Sequence, residues 1–185
     1  YGAMTTADGR FSVTGMAPGH YEIFVERRGY VPWTAMDSAN GSIELKAAEN
    51  IEDQAFKLVP YAVISGRVLD SNGIPVEHSI VQALSGGRMR FVSSDDRGEF
   101  RIGELLAGRY LIRAFSASLA MPPEIRTDGT AELHHRPTYY PSSATARSAA
   151  PVQTRAGQET GGIEIKLLPA PIRSVSGTVA TVPED

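Results

Sequence analysis

The chain has 185 residues, 42% hydrophobic and 21% charged, with a formal net charge of −3. That balance is ordinary for a globular protein, and no stretch gathers Lys and Arg into a basic patch, so a nucleic-acid partner is not expected. Zero cysteines exclude disulfides, thiolate nucleophiles and Cys-ligated metal, and no apolar run is long enough for a helical membrane span.

Taken in chain order, Ala7-Asp8-Gly9 reads as a tight turn between strands, the second of them around Phe11. In residues 20–27, Tyr21, Ile23 and Val25 alternate with Glu22 and Glu26, a period of two that predicts a half-buried strand. Ala39-Asn40-Gly41 is a further turn, and Phe56 and Leu58 alternate with Lys57. Beyond residue 61, strands are predicted near 62–69, 78–84, 88–94, 99–103, 109–116, 150–155 and 162–168. Ser71-Asn72-Gly73 and Asp96-Arg97-Gly98 punctuate them, with Gly free to take positive φ. The predicted core is Ile64, Val68, Val76, Val81, Ala83, Val92, Phe100, Ile102, Leu105, Tyr110, Ile112, Ile163, Ile165 and Leu167. The nearest approach to a helix is 143–149 (SATARSA), one or two turns inside a loop. Short strands at this spacing predict an all-β sandwich.

The chain also repeats itself. Phe11, Gly19, Tyr21 and Ile23 match Phe100, Gly108, Tyr110 and Ile112 at a constant offset of 89. Residues 42–60 return as 151–169 at an offset of 109, and VISGRV (63–68) returns as SVSGTV (174–179). A repeat this long is a whole domain and not a solenoid unit. The expected division is 1–60, a module lacking its first strands; 61–170, a complete module; and 171–185, a linker with the first strand of a third. On this reading the chain is a stretch of a longer protein. The two offsets differ by 20, so the second module carries a 20-residue insertion, placed between about Ser118 and Ser148.

SGRV-LDSNGIPV-EHSIVQAL, then a D-x-x-G-x-F turn and strand, then an L-x-x-G-x-Y strand, resemble the carboxypeptidase regulatory-like domain, which is related to Cna B-type repeats. The resemblance implies tandem seven-stranded prealbumin-like (transthyretin-like, Ig-like) sandwiches, the first truncated here. It also implies a place in secreted or cell-envelope proteins, extracellular or periplasmic. The Lys–Asn isopeptide bond of some Cna B-type relatives needs a first-strand Lys, and residues 62–70 contain none.

Functional candidates concentrate in the insertion, because loops on a rigid sandwich are where binding is usually grafted. His135, Arg136, Tyr139 and Tyr140, within and beside PTYYP (137–141), could stack on a sugar ring or a peptide. The other reading of the same residues is a core-capping Tyr in a Pro-stiffened connection. Trp33 has the same two readings, an exposed platform or a plug at the sandwich end. His134 and His135 point to opposite faces of an extended chain and, with Glu132 and Asp128, complete no metal-ligand spacing. Asp8, Asp70, Asp95 and Asp96 sit in turns and match no calcium loop. No nucleophile elbow or acid–base pair is recognisable.

The expectation is therefore a non-catalytic module with no cofactor and no metal, acting as a structural spacer or interaction module. Its partners would be the other domains of the parent chain, protein or polysaccharide ligands, or further copies added at unpaired strand edges. The alternatives are a carbohydrate-binding module built on the insertion, and a periplasmic segment of an outer-membrane receptor.

Overall fold

A computed structural model describes residues 1–34, 42–116 and 135–170. The chain divides into two compact units, Tyr1–Pro60 and Tyr61–Asp185. The described residues are all-β, and their one helical feature is a single 3-10 turn, Ala146–Ser148. The turn expected at 39–41 and the strand expected at 174–179 lie outside the described residues.

The first unit holds four short strands: β1 (Gly19–Glu22), β2 (Phe24–Val25), β3 (Trp33–Thr34) and β4 (Ser42–Leu45). β1 pairs antiparallel with β4, and β2 with β3. None of its described side chains is fully buried. Its aromatic residues instead form a chain: Trp33 lies edge-on to Phe56 with ring centroids 4.7 Å apart, and Phe56 is 6.0 Å from Phe11.

The second unit contains β5 (Ala62–Leu69), β6 (Ser79–Ser85), β7 (Arg88–Ser93), β8 (Glu99–Leu105) and β9 (Gly108–Ser116). After the insertion come β10 (His135–Arg136), β11 (Thr138–Tyr139), β12 (Val152–Thr154), β13 (Glu159–Lys166) and β14 (Leu168–Pro169). Each of the seven strands expected beyond residue 61 has a counterpart among these; β10, β11 and β14 are two-residue additions. One sheet runs β13-β5-β8, with β13 parallel to β5. The other runs β7-β6-β9, with β11 and β12 sharing the far edge of β9.

The inner rows of both sheets supply one core. It contains Ile64 and Val68, Val81 and Ala83, Phe100, Ile102 and Leu105, Tyr110 and Ile112, and Ile163, Ile165 and Leu167. Ala62, Ala114 and Val152 join it, while Val76 and Val92, expected inside, are only partly buried against it. Alternation explains the result, since on a strand every second side chain faces one way.

Two close approaches fix the three-stranded sheet. A Cβ on Gly66 would lie 1.8 Å from the carbonyl oxygen of Ile163, so only glycine fits. Opposite it, β13 shifts register between Thr160 and Ile163, a bulge formed by Gly161 and Gly162. Gly98 has φ +70 and the Val68 carbonyl oxygen 2.4 Å from where its Cβ would be, so the Asp96-Arg97-Gly98 turn requires glycine on both counts.

The sequence repeat returns as geometry. Tyr21 faces Ile43 and Gly19 faces Leu45 across β1–β4; Tyr110 faces Val152 and Gly108 faces Thr154 across β9–β12. These are the same pairs at the two sequence offsets. In both copies the tyrosine hydroxyl donates to the carbonyl four residues upstream, Tyr21 to Ala17 at 2.6 Å and Tyr110 to Leu106 at 3.0 Å. The turn repeats as well: Thr6 Oγ1 accepts from the Arg10 N–H at 3.2 Å, and Asp95 Oδ1 from the Glu99 N–H at 2.7 Å.

Three expectations for the first unit are corrected. The strand expected over 20–27 is interrupted at Ile23, no strand forms around Phe11, and none forms over 56–58. The reason is pairing. The counterparts of Phe11 and Phe56 in the second unit, Phe100 and Ile165, lie on β8 and β13, and both strands pair with β5. Residues 1–60 contain no counterpart of β5. A strand without a ladder partner leaves its N–H and C=O groups to water.

Candidate functional site

The insertion is divided by the structure. Val25 faces Trp33 across β2–β3 as Ala114 faces Thr138 across β9–β11. The partners are 8 positions apart in the first unit and 24 in the second, so most of the extra chain precedes β11. The body of the insertion, residues 117–134, with His134, Glu132 and Asp128, lies outside the described residues.

Trp33 thus occupies the place of Thr138, a fully buried position, and packs half-buried on Phe56, itself at the position of the core residue Ile165. Thr138 Oγ1 donates to the Arg136 carbonyl at 2.8 Å and accepts from the Leu168 N–H at 3.0 Å, tying β10, β11 and β14 together. His135, half-buried, faces Pro169, and Arg136, exposed, faces Leu168 on this small ladder.

The two tyrosines separate. Tyr140 packs against the core, its N–H donating to the Ile112 carbonyl at 2.8 Å and its carbonyl accepting from the Ala150 N–H at 2.9 Å. Tyr139 sits half-buried on the opposite, outer face, directly across from Arg113. The pair therefore does not form one flat exposed platform. Adjacent residues of an extended segment diverge.

What Tyr139 joins is a row across the outer face of the larger sheet: Tyr139 on β11, Arg113 on β9, Gln82 on β6 and Phe91 on β7, each opposite the next. The Arg113 guanidinium lies 5.8 Å from the Tyr139 ring centroid and 5.6 Å from that of Phe115, and its Nε donates to Gln82 Oε1 at 3.1 Å. Gln82 is only 8% exposed, so Arg113 satisfies a carbonyl that water barely reaches. Around this polar centre the face is apolar: Ile80, Leu84, Leu111 and Phe115 are half-buried, and Met89 and Phe91 are exposed. The outer face of the other sheet is charged, with Arg67–Glu99 at 2.7 Å and Arg101–Glu159 at 3.1 Å. The Ser65 hydroxyl and the Arg101 guanidinium hold the Glu159 carboxyl below the usual carboxylate range.

Arg113, Gln82, Phe91 and Phe115 were not among the candidates from sequence. Their signal was present: on β6 and β9 the residues between the core positions are themselves mostly apolar, and a one-sided sheet alternates apolar with polar. Among the described residues no three His, Asp or Glu side chains converge as metal ligands.

The second unit is thus a two-sheet module with one shared core and an arginine clasped on its outer face. Residues 63–133 match the family described as the carboxypeptidase regulatory-like domain, which bears out the resemblance carried by the SGRV, D-x-x-G-x-F and L-x-x-G-x-Y motifs. That family is a non-catalytic β-sandwich module. No curated protein matches the chain.

Proposed function

We propose that the chain is a tandem pair of prealbumin-like sandwich modules serving as a non-catalytic spacer and interaction segment of a secreted or envelope protein. The observation that carries this reading is the recurrence of one strand register and one tyrosine hydrogen bond at both sequence offsets. A feature present in every copy is scaffold, and the repeated residues here are core and turn residues. The short join around Pro60 leaves little slack, since proline restricts the backbone. Cell fractionation tests the location: the segment is expected in the medium, the envelope or the periplasmic fraction, whereas recovery in the cytoplasmic fraction contradicts the reading.

The carbohydrate alternative draws support from the Tyr139–Arg113–Phe115 cluster, because arginine and aromatic rings together suit a polyhydroxylated ring. Affinity electrophoresis of the full chain through a panel of polysaccharides separates the two. The spacer reading expects no retention; retention abolished by Tyr139→Ala establishes the alternative.

Self-association at a strand edge belongs to the same reading, and β7 is the edge suited to it. Gly86 and Gly87, with φ 53 and 78, make a two-residue turn, and the Ser94 N–H donates to the Ser79 carbonyl. That phase turns the backbone groups of Met89, Phe91 and Ser93 outward. The partner is a second copy paired antiparallel about Phe91, a register that sets Arg90 opposite Val92 and Arg88 opposite Ser94 with no like charges facing. With no native cysteine, Phe91→Cys forms a crosslinked dimer on oxidation; a chain that stays monomeric contradicts the pairing.

A further inference from the structure

We propose that the second unit is built to resist tension, with the β5–β13 ladder as its mechanical clamp. This deepens the spacer reading and rests on it. The observation is the placement of the unit's first and last long strands. β5 begins the unit at Ala62, β13 ends near its close at Lys166, and the two are neighbours running parallel. The chain continues before β5, through residues 1–61, and beyond β13, through residues 167–185. Once the two-residue β14 has left β10, a pull along the chain enters at the start of β5 and leaves at the end of β13, drawing two parallel neighbours in opposite directions.

In that geometry the pull lies along the strands and across their hydrogen bonds, so the whole ladder is sheared at once. The paired stretch runs from Glu159 opposite Val63 to Lys166 opposite Leu69. It is closed at both ends, by the Val63 N–H on the Gln158 carbonyl at 3.0 Å and the Leu167 N–H on the Leu69 carbonyl at 2.8 Å. A hairpin or two strands pulled from the same end would instead open one bond at a time, at far lower force.

Two features add to the clamp. β5 is the central strand, held on its other side by β8 from Ala62 opposite Leu105 to Arg67 opposite Glu99, so freeing β5 breaks two ladders. The bulge at Gly161 and Gly162 also seats the Ile163 carbonyl against Gly66, where a Cβ would be 1.8 Å from the oxygen. Sliding β13 along β5 drives that carbonyl toward the side chains of its neighbours. Interlocked backbone of this kind deforms little before it fails.

The test compares two pulling directions on the same full-length chain by single-molecule force spectroscopy. In one, handles are attached at the two chain ends, which loads β5 against β13 in shear. In the other, handles are attached at the N-terminus and at a cysteine placed by Gln158→Cys, the single cysteine in the chain. That exposed position lies at the start of β13, so the same ladder is peeled from one end. Forced rupture reports the unfolding barrier in each direction. The end-to-end pull is expected to show a rupture several-fold higher in force than the peel. It also lengthens the chain by roughly 35 nm, the Ala62–Lys166 span at about 3.6 Å for each residue less the roughly 25 Å that already separates the loading points along the paired strands. Equal forces, or a higher force in the peel, overturn the clamp. That result leaves the spacer reading to its own tests, whereas retention on a polysaccharide overturns the spacer reading without changing the force ratio.

Discussion

At Gly66 a single hydrogen stands where any other residue would place carbon inside the Ile163 carbonyl. Relief requires moving backbone in two paired strands, and overpacking that cannot relax costs about 3 kcal/mol or more. Gly66→Ala is therefore expected to lower the urea midpoint of the second unit sharply, while Gly103→Ala, where a Cβ meets nothing within 4 Å, is the mild control. Equal losses in the two variants would contradict the close approach. Glu159 makes a weaker, pH-dependent contribution. Its folded pKa lies below the unfolded value, first through the Ser65 hydroxyl and then through Arg101. Its stabilisation is thus present above the unfolded pKa, about 4.3, and lost as pH falls through the lower folded value. The Tm difference between the native chain and Glu159→Gln should shrink on acidification below that point; a difference that grows would reverse the sign. Because the carboxylate is largely solvent-exposed the effect is small.

At the scale of elements, the faces of β11 decide what its neighbourhood can do. Tyr140→Ala removes a ring packed on the core and is expected to cost about 3 kcal/mol, read as a fall in the denaturation midpoint. Tyr139→Ala removes a ring beside Arg113 and should cost only about 1 kcal/mol. Comparable losses would contradict the divergence of the two rings. The strands of the second unit were legible because each alternates cleanly: residues 109–116 show Tyr110, Ile112 and Ala114 on one face, and the residues of 62–69 announce a strand at the observed limits. Phe11 and the Phe56–Leu58 stretch alternate just as well and form no strand, since alternation reports which face is greasy and cannot report whether a ladder partner exists. The site was only half legible for a related reason. Tyr139 was visible, but its companions Arg113, Gln82 and Phe91 come from three other strands, and their meeting depends on register across the sheet. Sequence spacing within one strand carries no such information.

For the molecule as a whole, one rule explains both units: a strand forms when its repeat-equivalent partner is present. β1 and β4, whose counterparts β9 and β12 pair with each other, are formed. The segments whose counterparts pair with β5 are not. The presence or absence of a ladder partner thus accounts for the well-packed second unit and for the partly open aromatic chain of the first, where Phe11 is 44% exposed. Native-state hydrogen exchange on the full chain tests this most directly, because amide protection reports local pairing residue by residue. The account predicts slowed exchange for the amides that bridge β1 and β4, from Gly19–Glu22 and Ser42–Leu45, against near-coil rates over residues 11–14 and 55–58. Protection of those two stretches at the level of β8 and β13, or its absence across β1 and β4, would contradict it.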